Sequence, residues 1–115
     1  MTRLRESEVK MKDIYEAKLW VNKKDIELNP FVEQFVAGTV TGGVRTLKGV
    51  GVVRTVELKM VKRAVTLVVN GKALELTQFP NDIISSTVAG VVSSLKGVDK
   101  VGSLQIDIKV LQKKS

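Results

Sequence analysis

The chain contains no cysteine and no histidine among its 115 residues. Without thiols it forms neither disulfides nor thiolate metal sites. Without imidazole it lacks the commonest metal ligand and the side chain that ordinarily titrates near neutral pH. Zinc chemistry and Ser-His or Cys-His catalysis are therefore excluded. The other residues show no catalytic constellation, so we expect a non-enzymatic protein with no catalytic residue, no metal site and no cofactor.

Aromatic residues are also scarce, with three Phe, one Trp and one Tyr. The core must therefore be aliphatic, and a hydrophobic fraction of 43% is sufficient to build one. No apolar run approaches the roughly 18 residues that predict a membrane-spanning helix. Residues 1–8 are too charged for the apolar centre of a signal peptide. We therefore expect a cytoplasmic protein with no membrane partner.

The net charge is +7, an excess that favours acidic partners such as nucleic acid but also serves solubility. Residues 1–66 hold 13 basic and 8 acidic groups, a net +5, so the first half is the better candidate for an anionic partner. The candidate contacts cluster toward the first half and its junction with the second: Arg3, Arg5, Lys10, Lys12, Arg54, Lys59, Lys62 and Arg63.

The chain repeats itself at an offset of 48 residues. Without a gap, residues 19–50 align with residues 67–98, so that Asn22 meets Asn70 and Phe31 meets Phe79. The alignment predicts a tandem duplication of a β-β-α-β unit. We expect residues 1–115 to form one domain from two repeats, about 19–60 and 67–108, after a charged segment of residues 1–12. The two repeats should be related by a pseudo-twofold axis.

Turn and cap residues delimit the elements of each unit. Asn70-Gly71 is a strong hairpin signal, and Asn22 begins a weaker one at the matching position. Asn29 and Thr77 occupy positions suited to helix N-caps. Each predicted helix carries apolar residues at helical spacing, which should face the core: Phe31, Phe35, Val36, Val40, Val44 and Leu47, and Phe79, Ile83, Ile84, Val88, Val92 and Leu95.

The strands each show one apolar face, which predicts a two-layer α/β sandwich of the α+β class. One mostly antiparallel sheet would carry both helices on the same side. Because a helix joins the second strand of each unit to the third, we expect these two strands to be parallel. The first strand of the unit would then lie between them.

A stripe of small residues recurs in both predicted helices, at Gly38 and Gly42 and again at Ser86 and Gly90. Glycine inside a helix costs about 1 kcal/mol relative to alanine, so a compensating contact is expected. Close packing of the two helices against each other would provide it. The alternative is a partner helix or a ligand that lies along the stripe.

Strand alternation places Trp20 and its equivalent Val68 on the sheet face away from the helices. A large exposed apolar residue often marks an interface. We therefore predict that Trp20 is covered, either by a second subunit or by the segment before residue 13. Tyr15, the other large aromatic near this strand, joins Trp20 and Val68 as a candidate interface residue.

Three functions remain open from the sequence. The first is a non-enzymatic protein that acts through self-association or protein–protein contact, as a homo-oligomer. The second is a nucleic-acid-binding protein that uses the basic first repeat and the junction. The third is a carrier of a small ligand between the helices and the sheet.

Overall fold

The computed structural model describes residues 14–98 and 100–111. The elements follow the predicted order strand, strand, helix, strand, and then repeat it. They are β1 (Ile14–Val21), β2 (Lys24–Ile26), α1 (Pro30–Arg45), β3 (Thr55–Val61), β4 (Ala64–Val69), β5 (Lys72–Leu74), α2 (Gln78–Ser93) and β6 (Ser103–Leu111). Within these residues one sheet of six strands and two helices define an α+β fold.

The strands are arranged in the order β2-β1-β6-β3-β4-β5, and every neighbouring pair is antiparallel. The predicted hairpins of β1 with β2 and of β4 with β5 are present, but the predicted parallel relation within each unit was wrong. The second and third strands of a unit run in opposite directions. The first strand does lie between them, but the last strand of the other half separates it from the third. Instead β1 pairs with β6, the last strand of the other half, and β4 likewise pairs with β3.

A tight turn between β3 and β4 explains this arrangement. Lys62 and Arg63 have φ values of 48° and 70°, the paired positive values that a two-residue type I′ hairpin requires. The hairpin joins β3 directly to β4, so the third strand of the first unit is held by the second unit. Neither residue is Gly or Asn, and the sequence therefore gave no turn signal at this junction.

The strand pairings of the two halves coincide at an offset of 48 residues. Leu19 lies opposite Ile26, and Leu67 lies opposite Leu74. At the centre of the sheet, Leu58 of β3 lies opposite Ile106 of β6, two positions that the offset itself relates. The midpoint of the sheet therefore lies at this pair.

The side chain of Asn70, in the turn after β4, forms hydrogen bonds with the segment that leads into β3. Its Oδ1 accepts hydrogen bonds from the backbone N–H groups of Arg54 at 2.7 Å and Thr55 at 3.0 Å. Its Nδ2 donates to the carbonyl oxygen of Val52 at 2.7 Å. One amide side chain thus satisfies three backbone groups at the entry to β3.

Asn22 makes the corresponding contacts in the other half. Its Oδ1 accepts from the N–H groups of Gly102 at 2.9 Å and Ser103 at 3.0 Å, and its Nδ2 donates to Lys100 at 2.7 Å. Each asparagine therefore holds the strand that the opposite half contributes. This contact gives a physical reason for asparagine at both repeat positions.

The core is one aliphatic cluster between the helices and one face of the sheet. Alternate strand residues such as Leu19, Leu58, Leu67 and Ile106 are fully buried, as alternation predicts. The helices contribute mainly valines to the same cluster: Val36, Val40, Val44, Val88 and Val92. Thr41 is also buried, and its Oγ1 has no hydrogen-bond partner among the described residues.

The first turn of α1 covers a free edge of the sheet. Since β2 pairs only with the end of β1, no strand among the described residues lies beside the earlier part of β1 on that side. Gln34 accepts from the N–H of Tyr15 at 3.0 Å and donates to its carbonyl oxygen at 2.7 Å, while Glu33 accepts from Ala17 at 2.8 Å. These bonds occupy backbone groups that could otherwise pair with another chain.

Asn81 in α2 plays the same part for β4. It accepts from the N–H of Val65 at 2.8 Å and donates to the carbonyl oxygen of Arg63 at 3.0 Å. Therefore α1 begins beside the start of β1, and α2 begins beside the start of β4. Because β1 and β4 run antiparallel across the sheet, the two helices begin at opposite ends of it.

Two substitutions should relieve the backbone strain in the turn between β3 and β4. We expect the double substitution Lys62→Asn with Arg63→Gly to raise the free energy of unfolding by roughly 1 kcal/mol, because Asn-Gly adopts the positive φ angles at lower cost. Urea unfolding followed by circular dichroism measures the change. The opposite substitution, Gly71→Lys in the turn where Gly71 has φ 83°, should lower stability. A lower unfolding midpoint for the double variant would contradict this account of the turn.

Candidate functional site

Four large apolar side chains project from the helices into solvent. Phe31 and Phe35 of α1 are 75% and 53% exposed, and Phe79 and Ile83 of α2 are 71% and 48% exposed. The two pairs occupy matching positions, 48 residues apart. The rings of Phe31 and Phe35 stack at 6.1 Å between centroids with an interplanar angle of 18°. The prediction that these four residues face the core was wrong.

Helix geometry explains the exposure. The buried residues of α1 centre on Val36, Val40 and Val44. At about 100° per residue, Phe31 and Phe35 fall on the opposite side of the helix. Cap positions fix where each helix begins: Asn29 Oδ1 accepts from the N–H of Val32 at 2.8 Å, while α2 begins after Thr77 without such a bond.

The small residues of the stripe lie along the same outward side. Positions 31, 35, 38 and 42 fall within about 60° of one another around α1, as do positions 79, 83, 86 and 90 around α2. We call these eight residues the helix-layer surface: Phe31, Phe35, Gly38, Gly42, Phe79, Ile83, Ser86 and Gly90. The apolar side chains lie near the beginning of each helix, and the small residues lie toward its middle and end.

The small residues of the stripe do not make the predicted contact between the two helices. A Cβ atom placed on Gly42 or Gly90 would meet no other atom within 4 Å, and both glycines and Ser86 are exposed. Gly38 is half-buried, and a Cβ there would lie 3.6 Å from the ring of Tyr15, not against the other helix. These four residues therefore do not bring the helices together.

Valines make the contact between the helices. A gap of about 10 Å³ remains between α1, α2 and the sheet, lined chiefly by valines of both helices with Ile106 below: Val36, Thr39, Val40, Val88, Val91, Val92 and Ile106. β-Branched residues fill the contact between the helices, and no glycine of the stripe takes part in it. Gly42 and Gly90 are left on the outer surface.

The helix-layer surface is nearly free of charge. Each helix has 16 residues, and together they hold three charged ones, Glu33, Arg45 and Asp82, whereas 27% of the whole chain is charged. Glu33 is engaged with the edge of β1. At the border of the surface, Arg63 Nη1 approaches Ser86 Oγ at 3.5 Å. A solvent-facing helix layer ordinarily carries many more charges than this.

Trp20 and Val68 lie on the other face of the sheet, as strand alternation predicted, and both are half-buried. Tyr15 does not join them. It lies on the inward side of β1, where it packs against the core and Gly38. Tyr15 is two, four and six positions from residues that face the helices, so the same alternation assigns it to their side.

Charges of both signs alternate over the open sheet face around Trp20. Lys18 lies opposite Asp107, and Glu16 lies opposite Lys109. Asp107 also lies opposite Glu57 on its other side. Such interleaving is typical of a solvated surface, and it gives a polyanion no continuous basic track.

The predicted anionic-partner residues do not converge. Arg54 precedes β3 and Lys62 and Arg63 follow it, so they are about 26 Å apart along the strand. Lys59 lies between them on the open sheet face, opposite Gln105. The remaining candidates lie outside the described residues: Arg3, Arg5, Lys10 and Lys12.

A basic groove does occur at one end of the sheet. Arg45, Arg54 and Lys109 line a cavity of about 570 Å³ together with apolar residues of the β3 and β6 segments. Only Arg54 was predicted from the sequence. Arg45 follows it across the long loop after α1, and Lys109 comes from β6, so their convergence depends on the tertiary fold.

Within the described ranges, neither helix has the length and hydrophobicity that crossing a membrane requires. The same residues contain no group of three or more carboxylates placed to hold a metal ion. Comparison with known proteins gives no further guide: no protein family, no curated protein and no solved structure matches the chain.

The exposed glycines generate a stability prediction. We expect Gly42→Ala and Gly90→Ala each to raise the free energy of unfolding by roughly 0.5–1 kcal/mol, because alanine favours the helix and its methyl group has free space. Thermal unfolding at low protein concentration measures this. The control, Gly49→Ala, should destabilise, since Gly49 has φ 82°. Destabilisation by both helix substitutions would show that the glycines pack against something.

The fluorescence of Trp20 distinguishes which face of the protein a partner covers. If association uses the helix-layer surface, the emission maximum of Trp20 should not change on dilution, because Trp20 lies on the opposite face. A blue-shifted emission that is lost only when residues 1–12 are deleted would mean that this segment covers the ring. A red shift on dilution of the intact protein would instead place the subunit contact at the open sheet face.

Proposed function

We propose that this is a non-enzymatic protein that acts through protein–protein contact, made with the helix-layer surface. The observation that supports this is the matched exposure of Phe31 and Phe35 on one helix and of Phe79 and Ile83 on the other. Exposed apolar side chains grouped in this way commonly mark an interaction site. Aromatic residues are also enriched at the centres of protein interfaces.

The free energy available from burying these side chains favours a partner that covers the helix-layer surface. Complete burial of a Phe or Ile side chain stabilises by roughly 1.5–3 kcal/mol relative to exposure. A folded monomer leaves most of that unrealised at Phe31 and Phe79 and about half of it at Phe35 and Ile83, and a partner would recover it. The two exposed glycines on the same surface add an unfavourable helix term, which contact with a partner would offset.

We also propose that the chain arose by duplication and forms a two-layer sandwich with a pseudo-twofold axis at the Leu58–Ile106 pair. The offset of 48 residues supports this, since it relates strand registers, asparagine contacts and exposed apolar pairs alike. The helix-layer surface would then be approximately symmetric, with apolar projections at both ends.

Nucleic-acid binding is the second candidate, and the groove of Arg45, Arg54 and Lys109 supports it. Three cations around one cavity could bind a phosphate. Binding of single- or double-stranded DNA that weakens steeply with salt, and that Arg54→Gln reduces, would select this function. The carrier hypothesis has less support, because the gap between helices and sheet is only about 10 Å³.

The proposed contact is tested by molar mass in solution. Light scattering of the purified chain should give a mass above the monomer value of 12.6 kDa that increases with concentration. The double variant Phe31→Ser with Phe79→Ser should remain closer to 12.6 kDa, because it removes an exposed ring at each end of the surface.

The matched control is Val52→Ser, because Val52 is 69% exposed but lies in the loop before β3. It should associate like the original chain. A mass of 12.6 kDa for the original chain at all accessible concentrations would contradict self-association. Equal effects of the control and the double variant would remove the helix-layer surface from the proposal.

A further inference from the structure

We infer that the partner of the helix-layer surface is a second copy of this chain, bound face to face in a closed dimer. This inference rests on the proposed function and specifies its partner. It follows from the distribution of charge and from the shape of the surface.

The charge distribution allows a second copy to bind at this surface. The protein carries a net charge of +7, so two copies repel each other over most of their surfaces. In a twofold contact the same patch occurs on both sides, so any net charge on it faces an identical charge. The helix-layer surface avoids this cost, since the two helices contribute only Glu33, Arg45 and Asp82.

Shape is also consistent with two copies. The helices begin at opposite ends of the sheet, as their contacts with Ala17 and Val65 show. The stacked rings of Phe31 and Phe35 therefore project at one end, and Phe79 and Ile83 project at the other. Between them the surface is low, because its outward residues there are small.

Two such surfaces fit together when one is crossed over the other. The low middle regions then meet, with Gly42 and Gly90 permitting close approach of the helix backbones. The apolar projections of each copy lie beside the helices of the other copy. Both the projections and the glycines are buried by the same contact, and the twofold relation closes the assembly at two chains.

Charge placed at the middle of the surface tests this geometry. Gly42→Glu and Gly42→Lys should each fold, because Gly42 is exposed and a Cβ atom at this position meets no atom within 4 Å. Each variant alone should weaken association at least about tenfold in Kd, since like charges are brought together at the dimer centre. Sedimentation velocity measures both the mass and the affinity.

The two variants mixed in equal amounts should recover dimer, because Glu on one copy then faces Lys on the other. Gly51→Glu is the control: its position is equally open but lies in the loop after α1, and it should dimerise as the original chain does. Circular dichroism verifies that each variant is folded.

The outcomes distinguish self-association in general from the specific face-to-face dimer. A monomeric original chain would overturn both the self-association and the dimer. Association that is reduced by the Phe31 and Phe79 substitutions but not recovered in the Glu–Lys mixture would overturn the face-to-face dimer alone. Masses that grow beyond two chains with concentration would likewise overturn the closed geometry.

Discussion

The antiparallel ladder between β3 and β6 is the interaction on which the rest of the structure depends. Each strand belongs to a different half of the chain, and Leu58 lies opposite Ile106 at the middle of the sheet. Both side chains are fully buried beneath the helices. Without this ladder neither half could complete its sheet, because β1 also needs β6 and β4 also needs β3. The two asparagine contacts, at Asn22 and Asn70, hold the segments that enter it.

The ladder also determines where the helices lie. It places β1 and β4 on either side of the central pair, and each helix is attached to its own strand through side-chain bonds from its first turns. The helices therefore lie side by side over one face, with their valines inward. Their outward sides, including Phe31 and Gly42, then form one surface instead of two separate ones. The helix-layer surface is thus a consequence of the strand pairing between the two halves.

Much of the fold could be predicted from the sequence, because its signals are local. Period-two alternation located the long strands, and the Asn-Gly turn and the Asn29 cap located a hairpin and a helix start. The strand order could not be predicted in the same way. It depends on a turn at Lys62 and Arg63, whose residue types do not favour positive φ, and this turn decides which half holds β3.

The candidate surface was missed for a related reason. A helix with few charges has more than one apolar stripe, and spacing alone does not decide which stripe faces the sheet. The sequence assigned Phe31 and Phe35 to the core together with the valines, and assigned the glycines to a helix contact. Val36, Val40 and Val44 fill the core, so the aromatic and glycine positions lie together outside. The low charge of both helices was the signal in the sequence that pointed to this surface.

The central claim is that copies of this chain meet through their helix layers. Nuclear magnetic resonance of the backbone amides, recorded across a dilution series, tests it residue by residue. The account predicts concentration-dependent shifts at Phe31, Phe35, Gly42, Phe79, Ile83 and Gly90, with constant positions for the outward residues of the sheet such as Lys18 and Gln105. Shifts confined to the sheet face around Trp20, with none on the helices, would contradict it.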